Sequence, residues 1–212
     1  MKRTLAFLQK VGELKHLQRQ GVLLYGYKNA DSASDHTLRL AIMVWVFGQG
    51  RRMNLEQALK IALVHDLCKV YTGDITPYDG LFSNGKAASA KEKYDVAKRW
   101  RRLTIKQKEK RFKDRFRKEY AALKKLIGKL PERVRRDMER AWCDYQKLES
   151  PEAKFVNQVD RAENLLEAFE AWEIDKRFPT MPWWEHADEV IHDKTLQEFL
   201  REIEKEELRR KK

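Results

Sequence analysis

The sequence predicts an all-α protein with one domain over residues 1–212. Apolar residues recur three and four positions apart in nearly every segment, which is the spacing of amphipathic helices. Gly (9) and Pro (5) are scarce, so the chain has few residues for the tight turns of an all-β fold. Hydrophobic residues make up 42% and charged residues 37% of the chain, which is typical of a folded, helix-rich protein rather than a disordered one.

The first half of the chain contains three predicted helices. Leu5, Leu8, Val11 and Leu14 form the apolar stripe of the first. Ser and Asp residues at 32–35 are candidate N-caps for a second helix that ends near residue 47. Asn54 is the candidate N-cap of a third that ends near residue 71, and the Gly and Pro residues of 72–86 predict a loop.

Prolines divide the second half. Long basic helices are predicted between about residues 87 and 128. A proline in the first turn, where it is tolerated, opens each of two further helices, over about 131–148 and 151–176. Pro179 and Pro182 are expected to interrupt the helical pattern before a last charged helix over about 188–210.

Cysteine content and hydropathy indicate a reduced, cytoplasmic protein without a membrane segment. Cys68 and Cys143 are too few for a disulfide framework and lack CxxC spacing. The longest strictly apolar run, Leu40–Phe47, is far shorter than the roughly 20 residues that span a bilayer. The N-terminus starts basic, but polar residues soon interrupt its apolar stretch, so it reads as an amphipathic helix rather than a signal peptide.

The positive charge is concentrated in one segment. Residues 91–140 contain 21 Lys and Arg against 8 Asp and Glu, a net charge of +13, while the whole chain carries +12. Such a segment is either a surface for polyanions or a solvated helix face, and the charge alone favours the solvated face.

Two adjacent polar residues end a segment that is otherwise apolar. Between Ala58 and Val64 only Lys60 is charged, and His65 and Asp66 follow directly. A helix that is apolar on all sides is a buried one, and a buried His-Asp pair is costly unless it has partners. A divalent metal or a hydrogen-bonded core pair would each satisfy these side chains.

Two further helices repeat this pattern. His36 stands before the apolar run Leu40–Phe47, and Asp160 lies among apolar residues of the helix predicted over 151–176. A lone His at a helix start is usually a core or capping residue, and a lone Asp in a helix is usually solvated. Three helices thus each carry a metal-compatible side chain among apolar neighbours, and an adjacent His-Asp pair on a buried helix is the least easily explained by packing alone.

The order H…HD…D, formed by His36, His65-Asp66 and Asp160, resembles the signature of the HD superfamily of metal-dependent phosphohydrolases. The sequence around these residues is similar to that of the 5′-deoxynucleotidase branch. The similar stretches are SASDHTLRLAIMVW, ALKIALVHDLCKVYTGDITP and EAKFVNQVDRAENLLEA. The resemblance extends from about Leu14 to Trp172. It implies an HD-type helical bundle, with the basic segment as an inserted helical element.

The resemblance also implies the metal ligands, which are His36, His65, Asp66 and Asp160. Two imidazoles and two carboxylates suit a divalent transition metal such as Mn, Co, Fe, Zn or Ni. Such an ion would acidify a water and polarise a phosphate, so the implied reaction is phosphate release from a nucleoside 5′-monophosphate. Asp74 matches a family acid near the attacking water, with a loop-capping role as the alternative.

Two positions depart from the deoxynucleotidase pattern. The family has an acid three residues after the HD aspartate, where this chain has Lys69. Lys69 could bind a substrate phosphate or form an ion pair with the metal ligands. Its presence is the feature that argues for an alternative substrate, a nucleoside triphosphate or a cyclic dinucleotide. Arg19 matches a family Arg used on the nucleotide, but the family Trp is absent near Val22. The expected catalytic residues are Asp66, Asp74 and Lys69, and the expected substrate-binding residues are Arg19, Lys69 and Asp74.

The basic segment is longer than the resemblance predicts, and the surplus falls at about residues 99–125. Trp100, Phe112, Phe116 and Tyr120 are interleaved there with Lys and Arg. Such a mixture can bind nucleic acid through phosphates and stacking, although the near-helical spacing favours packing of the aromatic residues on the core. Nucleic-acid binding is therefore the alternative function of a different class. A homodimer is a further expectation, because the family is often dimeric.

Overall fold

The computed structural model describes residues 1–76, 79 and 99–210. This part of the chain contains ten α-helices and no β-strand, apart from one isolated antiparallel bridge between Gln18 and Ser32. The prediction of an all-α fold is confirmed. In the described ranges, no helix is long and apolar enough to cross a membrane. The part of the predicted basic helices that falls on residues 87–98 lies outside the described residues.

The helices are numbered here in chain order. Their bounds are α1 Lys2–Val11, α2 Gln20–Leu23, α3 Ala33–Gly48, α4 Leu55–Val64, α5 Lys69–Thr72, α6 Ile105–Ile127, α7 Glu132–Lys147, α8 Pro151–Ile174, α9 Met181–Val190 and α10 Lys194–Arg210. A 3-10 turn, Gly12–His16, follows α1.

The chain forms two compact units, each built from two segments. The first unit comprises Met1–Ala33 and Leu67–Arg135. In it, α1 and α5 pack against the long helix α6. The second unit comprises Ser34–Asp66 and Arg136–Lys212.

Helix α8 is the centre of the second unit, where α4, α9 and α10 pack against it. Its apolar residues are buried along most of its length, which confirms the predicted burial around position 160. Ser150 caps its first turn by accepting a hydrogen bond from the backbone amide of Ala153. Asn54 caps α4 in the same way through the amide of Gln57, as the sequence predicts.

Two predicted boundaries are wrong. The helix expected to continue to residue 71 ends at Val64, and a turn separates it from α5. Pro182 does not interrupt a helix but lies in the first turn of α9, where a proline displaces no intrahelical hydrogen bond. The region predicted as one last helix therefore contains α9 and α10.

The predicted apolar stripe of α1 is largely exposed. The helix forms, but Leu5 and Leu8 are each 57% exposed, whereas Leu14 in the following turn is buried. A stripe of apolar residues shows which face of a helix can be buried, but not whether another element covers that face.

Candidate metal centre

Three helices of the second unit bring the four predicted ligands into its core. His36 lies in the first turn of α3, and Asp160 lies in the middle of α8. His65 and Asp66 occupy the turn directly after α4. All four side chains are buried.

The ligand-type atoms of these residues converge. His36 Nε2 lies 3.2 Å from His65 Nε2 and 3.3 Å from Asp160 Oδ1. Ligand atoms of these three residues all lie within 4.8 Å of one another. Asp66 Oδ2 lies 3.4 Å from His65 Nε2 and 3.9 Å from His36 Nε2. The four residues predicted from the sequence are thus close together.

The orientation of the imidazoles suits a cation. His36 Nδ1 lies 2.5 Å from Glu163 Oε2, and His65 Nδ1 lies 2.7 Å from the carbonyl oxygen of Ala62. Carbonyl and carboxylate oxygens accept hydrogen bonds, so both Nδ1 atoms carry the proton and both Nε2 atoms present lone pairs. Two lone pairs 3.2 Å apart repel unless a positive charge lies between them. The donor set therefore fits a divalent metal.

Asp160 is held by neighbours that favour its ionised form. Tyr145 donates to its Oδ2 at 2.6 Å, and Asn164 donates to its Oδ1 at 2.8 Å. Burial by itself raises the pKa of this carboxyl, but the positive charge of Arg161 and the Tyr145 hydrogen bond lower the pKa well below its usual range. A carboxylate that stays ionised at neutral pH is a competent metal ligand.

The same contact raises the pKa of Tyr145 well above its usual value, because the phenol is buried and lies beside the charge of Asp160. Tyr145 therefore remains a hydrogen-bond donor at neutral pH. Its ring also packs edge-on against His65, with the centroids 5.1 Å apart.

The remaining predicted site residues lie in the first unit. Lys69 Nζ lies 2.7 Å from Asp74 Oδ1, and the backbone amide of Gln20 donates to Asp74 Oδ2 at 2.7 Å. Arg19 immediately precedes Gln20 at the start of α2. The structure thus brings Lys69 and Asp74 together and ties both to the segment that carries Arg19.

The residues that support the ligands were not predicted from the sequence. Glu163 and Asn164 follow Asp160 by three and four residues on α8, and Arg39 follows His36 by three on α3. Side chains at this spacing lie on the same face of a helix. The available signal was a polar residue one turn after each of these ligands.

His186 on α9 is a further titratable group of this unit. Burial of its ring and the charge of Arg161 lower its pKa to about 4, partly offset by Asp160. By its accessible surface the residue is nevertheless exposed to solvent. His186 does not belong to the compact group of ligand atoms.

Comparison with known proteins agrees with this site. The HD domain family matches residues 11–181, and the chain therefore belongs to the HD-domain family. Among its curated relatives, 5′-deoxynucleotidase HDDC2 of Xenopus laevis is 31% identical over 83% of this chain and 73% of its own length. The human protein of the same name is 31% identical over 82% of this chain and 70% of its own length.

A solved structure shows the same fold. It is a predicted metal-dependent phosphohydrolase from Magnetospirillum magnetotacticum, with a TM-score of 0.62 and 19% sequence identity. The alignment covers 99% of this chain and 95% of that one. The resemblance to the HD superfamily, and to its deoxynucleotidase branch, is confirmed.

Proposed function

We propose that this protein is a metal-dependent phosphohydrolase that releases phosphate from nucleoside 5′-monophosphates. The observation that carries the proposal is the buried pair of imidazole Nε2 atoms, 3.2 Å apart, with a carboxylate oxygen of Asp160 3.3 Å from one of them. Relatives at 31% identity over most of the chain carry the name 5′-deoxynucleotidase, which supports a nucleotide as the substrate.

His36, His65, Asp66 and Asp160 would hold the metal. Two nitrogen and two oxygen ligands suit Mn²⁺, Fe²⁺, Co²⁺, Ni²⁺ or Zn²⁺ better than Mg²⁺ or Ca²⁺, which prefer oxygen ligands alone. When bound, the ion supplies Lewis acidity toward the phosphate ester and its attacking water. The chain's contribution is to keep Asp160 ionised and to direct both Nε2 lone pairs inward.

Lys69 and Asp74 would act on the substrate. The Lys69 ammonium is a compact charge suited to a phosphate, and its 2.7 Å contact with Asp74 limits the positions it can take. Asp74 would accept a proton from the attacking water. Arg19, which precedes the amide that binds Asp74, would contact the phosphate as well.

The test is a panel of metals and substrates assayed for phosphate release, with Asp66→Ala as the variant. Loss of this ligand should reduce activity to background and lower the bound metal, while circular dichroism reports unchanged helix content. Asp137→Ala is the matched control, because Asp137 is exposed and pairs with Lys60 on the surface of the same unit. Full activity of Asp66→Ala after chelation and re-addition of metal would refute metal-assisted hydrolysis.

Lys69 distinguishes between classes of phosphate ester. Lys69→Glu restores the acid of the deoxynucleotidase pattern, and we expect it to shift the preference among nucleoside monophosphates, nucleoside triphosphates and cyclic dinucleotides. Lys154→Glu, an exposed lysine on α8, controls for the change in net charge. Identical rates for parent and Lys69→Glu across the panel would leave Lys69 without a role in substrate choice.

Nucleic-acid binding is a second candidate function, supported by the surface of α6. This helix carries ten Lys and Arg against three acids. Phe112 is 45% exposed, and Phe116 stacks on Tyr120 with centroids 5.8 Å apart. Lys124 lies over the Tyr120 ring. Partly exposed aromatic rings among cations are the elements of a surface that binds single strands.

A further inference from the structure

Glu163 is a carboxylate with no exposed surface in the core of the second unit. It lies one turn after Asp160 on α8. Its Oε2 is 2.5 Å from His36 Nδ1, and its Oε1 accepts a hydrogen bond from Arg39 Nε at 2.9 Å. Both oxygens are therefore fixed by residues of α3, one of which is a proposed metal ligand.

Arg39 is fixed in turn from its other side. Its guanidinium donates to Glu170 Oε2 at 2.6 Å. The Arg39 side chain is about one-quarter exposed and that of Glu170 nearly half exposed. A continuous series of hydrogen bonds thus joins His36 to the surface of the unit, through Glu163, Arg39 and Glu170.

Fold stability alone does not explain these groups. Replacing a buried ion pair with apolar residues of similar volume is often neutral or stabilising. Apolar residues, however, could not accept the hydrogen bond that His36 Nδ1 donates. In metal centres, the second nitrogen of a ligating histidine usually donates to a carboxylate or a carbonyl, which fixes the tautomer and the ring orientation.

We propose that Glu163 is a positioning residue that holds His36 in the Nδ1–H tautomer, with its Nε2 lone pair directed at the metal centre. Arg39 and Glu170 hold Glu163 in place. His65 needs no such residue, because the backbone carbonyl of Ala62 has the same role. The inference rests on the proposed metal centre, to which it adds the residues that prepare one of the ligands.

The first test uses the metal-free protein. Nitrogen-15 NMR of labelled histidines reports which ring nitrogen carries the proton. We expect the parent to show His36 in the Nδ1–H form, and Glu163→Ala to show loss of that form. The His65 signals, fixed by Ala62, are the internal control. A His36 tautomer that is unchanged in Glu163→Ala would overturn the proposal.

The second test measures metal affinity, with Co²⁺ as the probe and a chelator as competitor. Glu163→Gln keeps the size of the side chain but replaces one acceptor oxygen, and we expect it to weaken binding by about 10- to 100-fold. Arg39→Gln should weaken binding in the same direction by a smaller factor. Glu167→Gln is the matched control, because Glu167 is a buried glutamate one turn further along α8.

Two results separate this inference from the proposed function. If the parent binds Co²⁺ and the Glu163 and Arg39 variants bind it equally well, the positioning role is wrong and the metal centre stands. If the parent binds no divalent metal at all, both are wrong. Loss of stability in the metal-free variants without loss of affinity would show that Glu163 serves the fold alone. If Glu163→Gln does not fold, the metal affinity of Arg39→Gln still tests the positioning role.

Discussion

At the scale of single residues, the proposed centre depends on hydrogen-bond partners for its buried polar atoms. A buried polar atom without a partner costs about 1–3 kcal/mol. In the second unit, Tyr145 and Asn164 each donate to one oxygen of Asp160, and Ala62 and Glu163 each accept from one imidazole. What is left facing inward is two nitrogen lone pairs and carboxylate oxygens. Because all of these atoms are electron-rich, they repel one another unless a cation lies between them.

Replacing Tyr145 tests how much its hydrogen bond to Asp160 stabilises the protein. Tyr145→Phe removes the hydroxyl that donates to Asp160 Oδ2 at 2.6 Å and leaves the ring in place. We expect the free energy of unfolding of the metal-free protein to fall by about 1.5–3 kcal/mol, because a hydrogen bond to a charged group is lost. Urea denaturation would measure it, with Tyr27→Phe as the control for removing a tyrosine hydroxyl in the other unit. An unchanged midpoint would mean that Asp160 does not depend on Tyr145.

His186 should make stability depend on pH. Its pKa in the folded protein is about 4, below the roughly 6.5 of an unfolded histidine. The unfolded chain therefore binds a proton more readily, so this contribution to stability is complete above pH 6.5 and decreases as pH falls toward 4. We expect His186→Asn to reduce the loss of stability between pH 7 and pH 5, measured by urea denaturation with chelator present. An equal loss in parent and variant would contradict the lowered pKa.

The site residues that could be predicted from the sequence are those that differ from their neighbours along the chain. His36, His65, Asp66 and Asp160 stand out because each is polar within or beside an apolar helix, and the structure places all four together in the core. The partners of Glu163 and Tyr145 could not be predicted, because they lie on other helices. The register between helices, which decides these contacts, leaves no periodic signal in the chain.

At the scale of elements, the end of α4 is important for the site. A helix continuing to residue 71 would bond the carbonyl of Ala62 to the amide of residue 66. Because α4 ends at Val64, that carbonyl can accept from His65 Nδ1 instead. The apolar run predicted the helix but not its end. Local signals predicted the starts of α4 and α8 better, since Asn54 caps the first turn of α4 and Pro151 lies in the first turn of α8.

Helix α3 shows that an apolar helix need not be buried on all sides. Leu40 is fully buried, whereas Ile42, two residues later, is 51% exposed. We expect Leu40→Ala to lower the free energy of unfolding by about 2–5 kcal/mol, because it leaves a cavity. Ile42→Ala should change it by less than about 1 kcal/mol, because surface substitutions usually have small effects.

Thermal or urea denaturation of the two variants under identical conditions would measure this difference. Both substitutions place alanine in the same helix, so helix propensity contributes similarly to each. Comparable losses in the two variants would show that Ile42 is covered in solution.

At the scale of the whole molecule, the proposed metal ligands and the basic helix belong to different units. The ligands all belong to the second unit, while α6, which carries ten of the 21 Lys and Arg of residues 91–140, belongs to the first. Hydrolysis of a small monophosphate needs few cations, so the net charge of +13 over residues 91–140 exceeds what the proposed reaction requires. The aromatic residues of α6 stack along the helix but keep part of their surface exposed, which their spacing alone could not predict.

Salt dependence decides whether this excess charge binds nucleic acid. Binding of single-stranded or double-stranded DNA or RNA should weaken steeply as salt rises, because each neutralised phosphate releases counterions. Replacing a basic cluster with Gln should flatten the slope of log affinity against log salt and leave mononucleotide hydrolysis intact. The cluster comprises Arg99, Arg101, Arg102, Lys106, Lys108 and Lys110.

The matched control is Lys205→Gln with Arg209→Gln on α10, where both cations pair with glutamates of their own helix. We expect the control to keep the parent slope, because cations already paired release few counterions from a nucleic acid. Fluorescence anisotropy with labelled oligonucleotides would measure all three proteins. Absence of binding by the parent at about 50 mM salt, where electrostatic attraction is strong, would exclude a nucleic-acid role and leave α6 as a packing element of a phosphohydrolase.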